Sequence, residues 1–298
     1  MSSNANRQAK PSHLAPAAQP FLRPFLKWAG GKTQLLPQFE RFYPREKIER
    51  YIEPFLGSGA VFFRVRAQLN PGKAILCDNN KELIETFKAV KTDVEGVIRC
   101  LRVHKDKHSP EYFREMRTRL GENAAECAAR LIYLNKTCFN GLYRVNSRGI
   151  FNVPMGRYHK PAILDEDGLR EASRQLHGVE LQARDFRKLP ALAKRGDFIY
   201  LDPPYYPVSK TSYFTSYTRD SFGAQDQWDL SEVYDQLCQA GCFVMLSNSD
   251  NPFINGLYWR LKDARIHRVS ARRNINSRAE RRGHINELVI VNYDAPRR

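Results

Sequence analysis

The stretch from Tyr51 to Asp78 constrains the fold most. It reads as a short strand Tyr51-Ile52-Glu53, a glycine turn Pro54-Phe55-Leu56-Gly57-Ser58-Gly59, a helical run Ala60 to Gln68, a second strand Ala74 to Cys77, and then an acid, Asp78. Two strands joined through one helix lie parallel, and their crossover is right-handed. The unit therefore predicts an α/β sheet that binds ligands at the carboxyl ends of its strands. Gly57 and Gly59 lack the third glycine of the dinucleotide fingerprint. An acid about twenty residues past such a turn accepts ribose hydroxyls. With no pyrophosphate to cradle, the spacing suits a nucleoside cofactor such as S-adenosylmethionine. Taken alone, a G-x-G also fits a plain turn.

Further strand signals stand at Val179 to Gln182, Phe198 to Leu201, Cys242 to Ser247 and Glu287 to Tyr293. The run Phe198-Ile199-Tyr200-Leu201 ends abruptly at Asp202-Pro203-Pro204-Tyr205. Two prolines stop the strand and remove two N–H donors. An acid, a rigid turn and an aromatic ring are left at the sheet edge where ligands bind. The set suits methylation of a nucleobase amine, whose lone pair is delocalised into the ring. The Asp202 carboxylate and the Pro203 carbonyl accept the amine's hydrogens and draw that lone pair out, while Tyr205 stacks on the base. A strand-ending turn whose aspartate caps a helix has the same letters.

The 48 Lys and Arg outnumber the 32 Asp and Glu, a net charge of +16, which favours a polyanionic partner. No apolar run reaches membrane-spanning length. Residues 1–21 are rich in Ala, Pro, Ser and Asn and read as a disordered tail. The six cysteines form no C-x-x-C and none has a histidine at zinc-ligand spacing, so a reduced, cytoplasmic protein without a metal is expected. Gly30-Gly31-Lys32-Thr33 is not a phosphate loop, because Leu26 stands where its first glycine belongs. Lys32 instead suits a carboxylate, and Trp28 a ring or sulfonium over its π face. A surface lysine and a core tryptophan are the plainer readings.

Between the second and third strand signals the pattern changes. Glu82 to Arg119 is charged and helical, and Ala124 to Lys136 is an amphipathic helix. Thr137 to Pro161 has no clear periodicity and is dense in Asn, Gly, Arg and aromatics. A loop that long is often functional. Arg144 suits a guanine edge, Phe139 or Tyr158 a wedge in a base stack, and Arg157 and Lys160 phosphates. A solvated loop is the alternative. Arg272, Arg273, Arg278, Arg281 and Arg282 form a second basic cluster.

Together these residues resemble the DNA adenine methyltransferase (Dam) family. The resemblance rests on Phe25-Leu26-Lys27-Trp28-Ala29-Gly30-Gly31-Lys32, Glu53-Pro54-Phe55-Leu56-Gly57-Ser58-Gly59, Asn140-Gly141-Leu142-Tyr143-Arg144, Phe151-Asn152-Val153-Pro154-Met155-Gly156-Arg157-Tyr158 and Asp202-Pro203-Pro204-Tyr205, in the family's order. It implies a Rossmann-like methyltransferase sheet with an inserted, mainly helical DNA target-recognition domain. Residues 22–85 and 179–298 would form the S-adenosylmethionine-binding catalytic domain, and 86–178 the insertion. The implied activity is methyl transfer from S-adenosylmethionine to adenine N6 in double-stranded DNA, within GATC, by base flipping. No membrane or obligate protein partner is implied. Trp28, Lys32, Asp78 and Asp202 match cofactor-contacting positions, and Asp202, Pro203, Pro204 and Tyr205 the catalytic turn. Lys27, Leu142, Arg144 and Pro154 match base-reading positions, with Phe139, Asn140, Arg157 and Tyr158 also assigned to DNA. The loop from Tyr206 to Phe222 is expected to close over the flipped base. Phe139 stands where some members have tyrosine, and Lys136-Thr137-Cys138 departs from the family pattern. Rival readings are a methyltransferase of RNA or of a protein side-chain amide, and a DNA-binding member without catalysis.

Overall fold

The computed structural model describes residues 22–206, 222–272 and 284–295. The expected tail 1–21, the loop residues 207–221 and four arginines of the second basic cluster lie outside them; Arg272 ends a strand.

Seven strands form one sheet: β1 (Tyr51–Glu53), β2 (Ala74–Asp78), β3 (Glu180–Ala183), β4 (Phe198–Leu201), β5 (Phe243–Ser249), β6 (Arg265–Arg272) and β7 (His284–Val291). Their order is β3-β2-β1-β4-β5-β7-β6. The first five are parallel, and β7 inserts antiparallel between β5 and β6. The helices are α1 (Leu36–Phe39), α2 (Ala60–Leu69), α3 (Lys81–Thr92), α4 (Val94–Asp106), α5 (Pro110–Thr118), α6 (Ala124–Thr137), α7 (Glu166–Leu176), α8 (Ala224–Gln239) and α9 (Pro252–Trp259). None is long and apolar enough to cross a membrane among the described residues.

Successive residues of a strand point to opposite faces. Tyr51, Leu76, Phe198, Tyr200 and Met245 accordingly pack into one core with α2, α3, α4, α6 and α7. Ile52, Ile75, Ile199, Leu201 and Val244 pack into a second core with α8 and α9. Burial on both faces explains the unbroken apolar runs of β2 and β4. Helices α3 to α7 all lie within the β2–β3 crossover, and their apolar faces share the first core.

Expectation and structure differ at several elements. The helix-like run Thr33 to Phe42, after the Gly30-Gly31-Lys32 turn, forms only α1 followed by a single 3-10 turn, Glu40–Phe42. Strand β6 carried no clear strand signal, because its edge position leaves Arg265, His267 and Arg268 in a run that alternates weakly. Helix α7 also passed unnoticed. The stretch 137–161 folds as an irregular hairpin, with bridges at Cys138–Met155 and Val145–Phe151. At its tip the Asn146 side chain accepts from the N–H groups of Arg148 and Ile150, both at 3.0 Å.

Candidate active site

The carboxyl edge of the sheet collects polar groups that the strands bring from distant parts of the chain. Asp202 follows β4. Its Oδ1 lies 2.9 Å from Lys32 Nζ, and Ser247 on β5 donates to the same oxygen at 2.9 Å. Ser247 Oγ lies 2.8 Å from the Tyr200 hydroxyl. Burial raises the Asp202 carboxyl above its ordinary pKa, while Lys32 and Ser247 pull it back down. Lys32 is only 4% exposed, and its ammonium also donates to the Gly30 carbonyl at 2.6 Å. Held between one carboxylate and one carbonyl, this buried ammonium fixes Asp202 in place.

The turn itself is pinned along its length. Gln227 on α8 donates to the Pro204 carbonyl at 2.9 Å, and Asn248 donates to Gln227 at 2.9 Å. Ser249 donates to the Tyr206 carbonyl at 3.1 Å. The Tyr205 hydroxyl donates to Glu287 on β7 at 2.5 Å, and Lys32 Nζ lies 4.5 Å from the centre of the Tyr205 ring. Among the described residues no group donates to the Pro203 carbonyl, which sits beside the acid.

Next to the turn lies a cradle of the kind a nucleoside needs. Gly57 has φ +49°, a conformation that disfavours any side chain, and a Cβ there would come within 3.0 Å of Trp28. Asp78 accepts from the N–H of Gly57 at 3.2 Å and of Asn80 at 2.9 Å. Each carboxylate oxygen keeps a free lone pair for a ribose hydroxyl. Burial raises the Asp78 pKa and these N–H groups oppose the rise. Trp28 stacks on Tyr143 with ring centres 5.5 Å apart. Beneath the cradle, Glu53 is 2% exposed and takes a hydrogen bond from Tyr51 Oη at 2.7 Å. Burial lifts its carboxyl well above the ordinary range, and Asp202 and Asp78 add to the rise. The glycine backbone, the acid, the buried lysine and the tryptophan together fit S-adenosylmethionine.

A third group surrounds the hairpin. Asn135 on α6 accepts from the Lys27 N–H at 2.8 Å and donates to the carbonyls of Lys27 and Gly141 at 2.6 and 3.0 Å. Lys27 Nζ sits 4.6 Å from the centre of the Tyr158 ring. The Phe139 N–H donates to the Pro154 carbonyl at 2.9 Å. Lys27, Phe139, Asn140, Leu142, Pro154 and Tyr158 are thus gathered by one set of bonds, with the Phe139 side chain 50% and Leu142 38% exposed. Arg144 is exposed and donates from Nε to Asn152 Oδ1 at 2.7 Å and from one Nη to the Asn152 carbonyl at 3.3 Å. Arg157 is exposed. The loop Phe25 to Lys32 joins all three groups: Lys27 at the hairpin, Trp28 on Tyr143 and Lys32 on Asp202.

Sequence reasoning missed Glu53, Tyr143, Gln227, Ser247, Asn248, Ser249 and Glu287. A signal for part of this set was present. Ser247-Asn248-Ser249-Asp250 is a polar run at the end of a buried strand, the position from which ligand-facing groups come.

A family model for the D12 class N6 adenine-specific DNA methyltransferases matches residues 28–275. The Type II methyltransferase M1.LlaDCHI of Lactococcus lactis subsp. cremoris is 42% identical, over 91% of this chain and 96% of its own length. The Type II methyltransferase M.MjaIII of Methanocaldococcus jannaschii is 41% identical, over 91% and 99%. The DNA adenine methylase of Escherichia coli K12 is 33% identical, over 90% and 95%. The chain belongs to the D12 class of adenine-specific DNA methyltransferases, whose methyl donor is S-adenosylmethionine.

Proposed function

We propose that this methyltransferase acts on adenine within GATC in duplex DNA and turns the target base out of the helix to reach it. The observation that carries the reading is Asp202, held by Lys32 and Ser247 at the carboxyl end of β4 and followed by the pinned Pro203-Pro204-Tyr205 turn. S-adenosylmethionine, when bound, supplies a methyl group already made electrophilic by its sulfonium. The chain therefore contributes positioning and electrostatics. Asp202 and the Pro203 carbonyl accept the adenine amine's hydrogens and localise its lone pair toward the methyl carbon. S-adenosylmethionine so held would give its methyl to the amine nitrogen and leave as the thioether, and the amine would then shed one proton. Tyr205 stacks on the base. Trp28, Lys32 and Asp78 hold the cofactor, with Lys32 the cation for its carboxylate.

In the same reading, residues 86–178 form the target-recognition part and residues 22–85 and 179–298 the catalytic part. Lys27, Asn140, Leu142, Arg144 and Pro154 meet base edges, Leu142 and Pro154 suiting a thymine methyl. Phe139 enters the stack vacated by the flipped adenine, a role its exposed ring favours. Arg157 and Tyr158 meet the backbone. The enzyme works wherever the chromosome is, which places it in the cytoplasm on the nucleoid.

Sequencing of N6-methyladenine in DNA from cells that express the chain and lack other adenine methylation tests this. Methylation confined to GATC is expected. A different methylated sequence overturns the target and spares the chemistry, whereas DNA without methyladenine overturns the reading as a whole.

A further inference from the structure

Glu287 lies 82 residues beyond Tyr205 in the chain and on a strand that runs against its neighbours, yet it reaches the catalytic turn. Its position follows from register. Ser249, at the end of β5, pairs with Glu287 on β7, so a side chain near the start of the antiparallel strand arrives at the carboxyl edge of the parallel ones. There its Oε2 accepts from Tyr205 Oη at 2.5 Å. The backbone on either side of Tyr205 is already fixed, by Gln227 at the Pro204 carbonyl and by Ser249 at the Tyr206 carbonyl. What remains free is the swing of the ring about the Cα–Cβ bond, and the hydroxyl bond at its far end holds that swing.

We propose that Glu287 is a positioning residue for methyl transfer, which anchors the far end of the Tyr205 ring through its hydroxyl and so fixes where the ring meets the flipped adenine. The inference rests on the assignment of Tyr205 as the stacking ring. Glu287 touches neither substrate nor cofactor in this role. Two further features favour it over a merely structural contact. The carboxylate is partly buried and takes its hydrogen bond from the phenol, while Lys32 acts on it through space without a direct bond, so the directional contact is the one to Tyr205. Lys32 stands over the same ring at 4.5 Å and contacts Asp202 at 2.9 Å, so the ring and the catalytic carboxylate share one neighbour. A ring that swings disturbs the stack and that shared contact together.

The test uses the full-length enzyme and a duplex carrying the one site found methylated. Single-turnover methyl transfer is measured for the parent, Glu287→Ala, Glu287→Gln, Tyr205→Phe and the double variant Tyr205→Phe/Glu287→Ala. Loss of a hydrogen bond to a charged acceptor predicts a fall of about ten- to a hundredfold for Glu287→Ala. Tyr205→Phe should fall by a similar factor, and the double variant no further, because both changes remove one bond. Glu287→Gln keeps an acceptor and should recover most of the rate. A duplex with 2-aminopurine in place of the target adenine reports stacking: the parent should quench its fluorescence more than Glu287→Ala does. Thermal melting and cofactor affinity should stay at the parent's values, which separates ring placement from a damaged fold. A Glu287→Ala rate equal to the parent's, or losses that multiply in the double variant, overturns the role of Glu287. If the parent itself places no methyl on DNA adenine, the broader reading has failed instead.

Discussion

At Asp202, burial and an ion pair act in opposite directions. Burial favours the neutral acid, and Lys32 at 2.9 Å favours the carboxylate that must accept the amine's hydrogens. Because burial is the larger effect, kcat/KM should fall on the acid side from a pH above the ordinary carboxylate range, and a pH–rate profile checks it. Asp202→Ala should lower single-turnover transfer by at least about a hundred- to a thousandfold. Its DNA affinity without cofactor should stay near the parent's; a variant that methylates at the parent's rate would sink the assignment. Glu53 gives a stability prediction of definite sign. Its folded pKa is raised, so the folded protein holds a proton that the unfolded chain releases. The stability it contributes is complete below the unfolded pKa and is lost as pH rises through the folded value. Glu53→Gln has no such proton, and its amide oxygen still accepts from Tyr51. Its Tm should therefore gain on the parent's as pH rises from about 4.3 upward. Equal pH dependence of the two melting curves would refute this.

Among the elements, α6 ties two other helices to the hairpin. Arg130, in its middle, donates to the carbonyls of Met116 and Arg117 at the end of α5, at 2.8 and 2.9 Å, and to Glu82 on α3 at 3.0 Å. Glu82 in turn accepts from Tyr143 at 2.7 Å. Helix, hairpin and the Trp28 stack are thereby one mechanical unit. Arg130→Met should leave buried carbonyls unpartnered and cost about 1–3 kcal/mol in urea unfolding. Gly141, at φ +65°, has no room for a side chain: a Cβ would sit 2.5 Å from Lys27 Cβ. Gly141→Ala should weaken binding to the target duplex while cofactor affinity holds, as paired titrations would show. Strands β1, β2 and β4 were legible in the sequence because both their faces are buried and their runs are uninterrupted. So was the turn from Asp202 to Tyr205, since prolines mark its place. The polar partners of the turn were not, because Gln227, Ser247 and Glu287 owe their roles to sheet register and helix packing, which single-strand patterning does not carry. β6 escaped for a related reason: an edge strand with arginines lacks the buried alternation that would announce it.

For the molecule as a whole, the net charge of +16 sets its behaviour toward DNA. If the enzyme neutralises about six to ten phosphates, its affinity should drop about 10³- to 10⁵-fold between 50 and 200 mM salt. A slope near zero in a plot of log affinity against log salt would contradict an electrostatic footprint. The sheet order has a consequence for biosynthesis. β7 fits between β5 and β6 although it follows both in the chain, so the sheet closes only after residues up to Val291 have been made. Until then β5 presents an open edge that invites wrong partners. Glu287 arrives on that same strand, after every other group of the turn. A nascent chain still on the ribosome therefore has its hairpin and its Gly57–Asp78 cradle made before Glu287 can reach Tyr205.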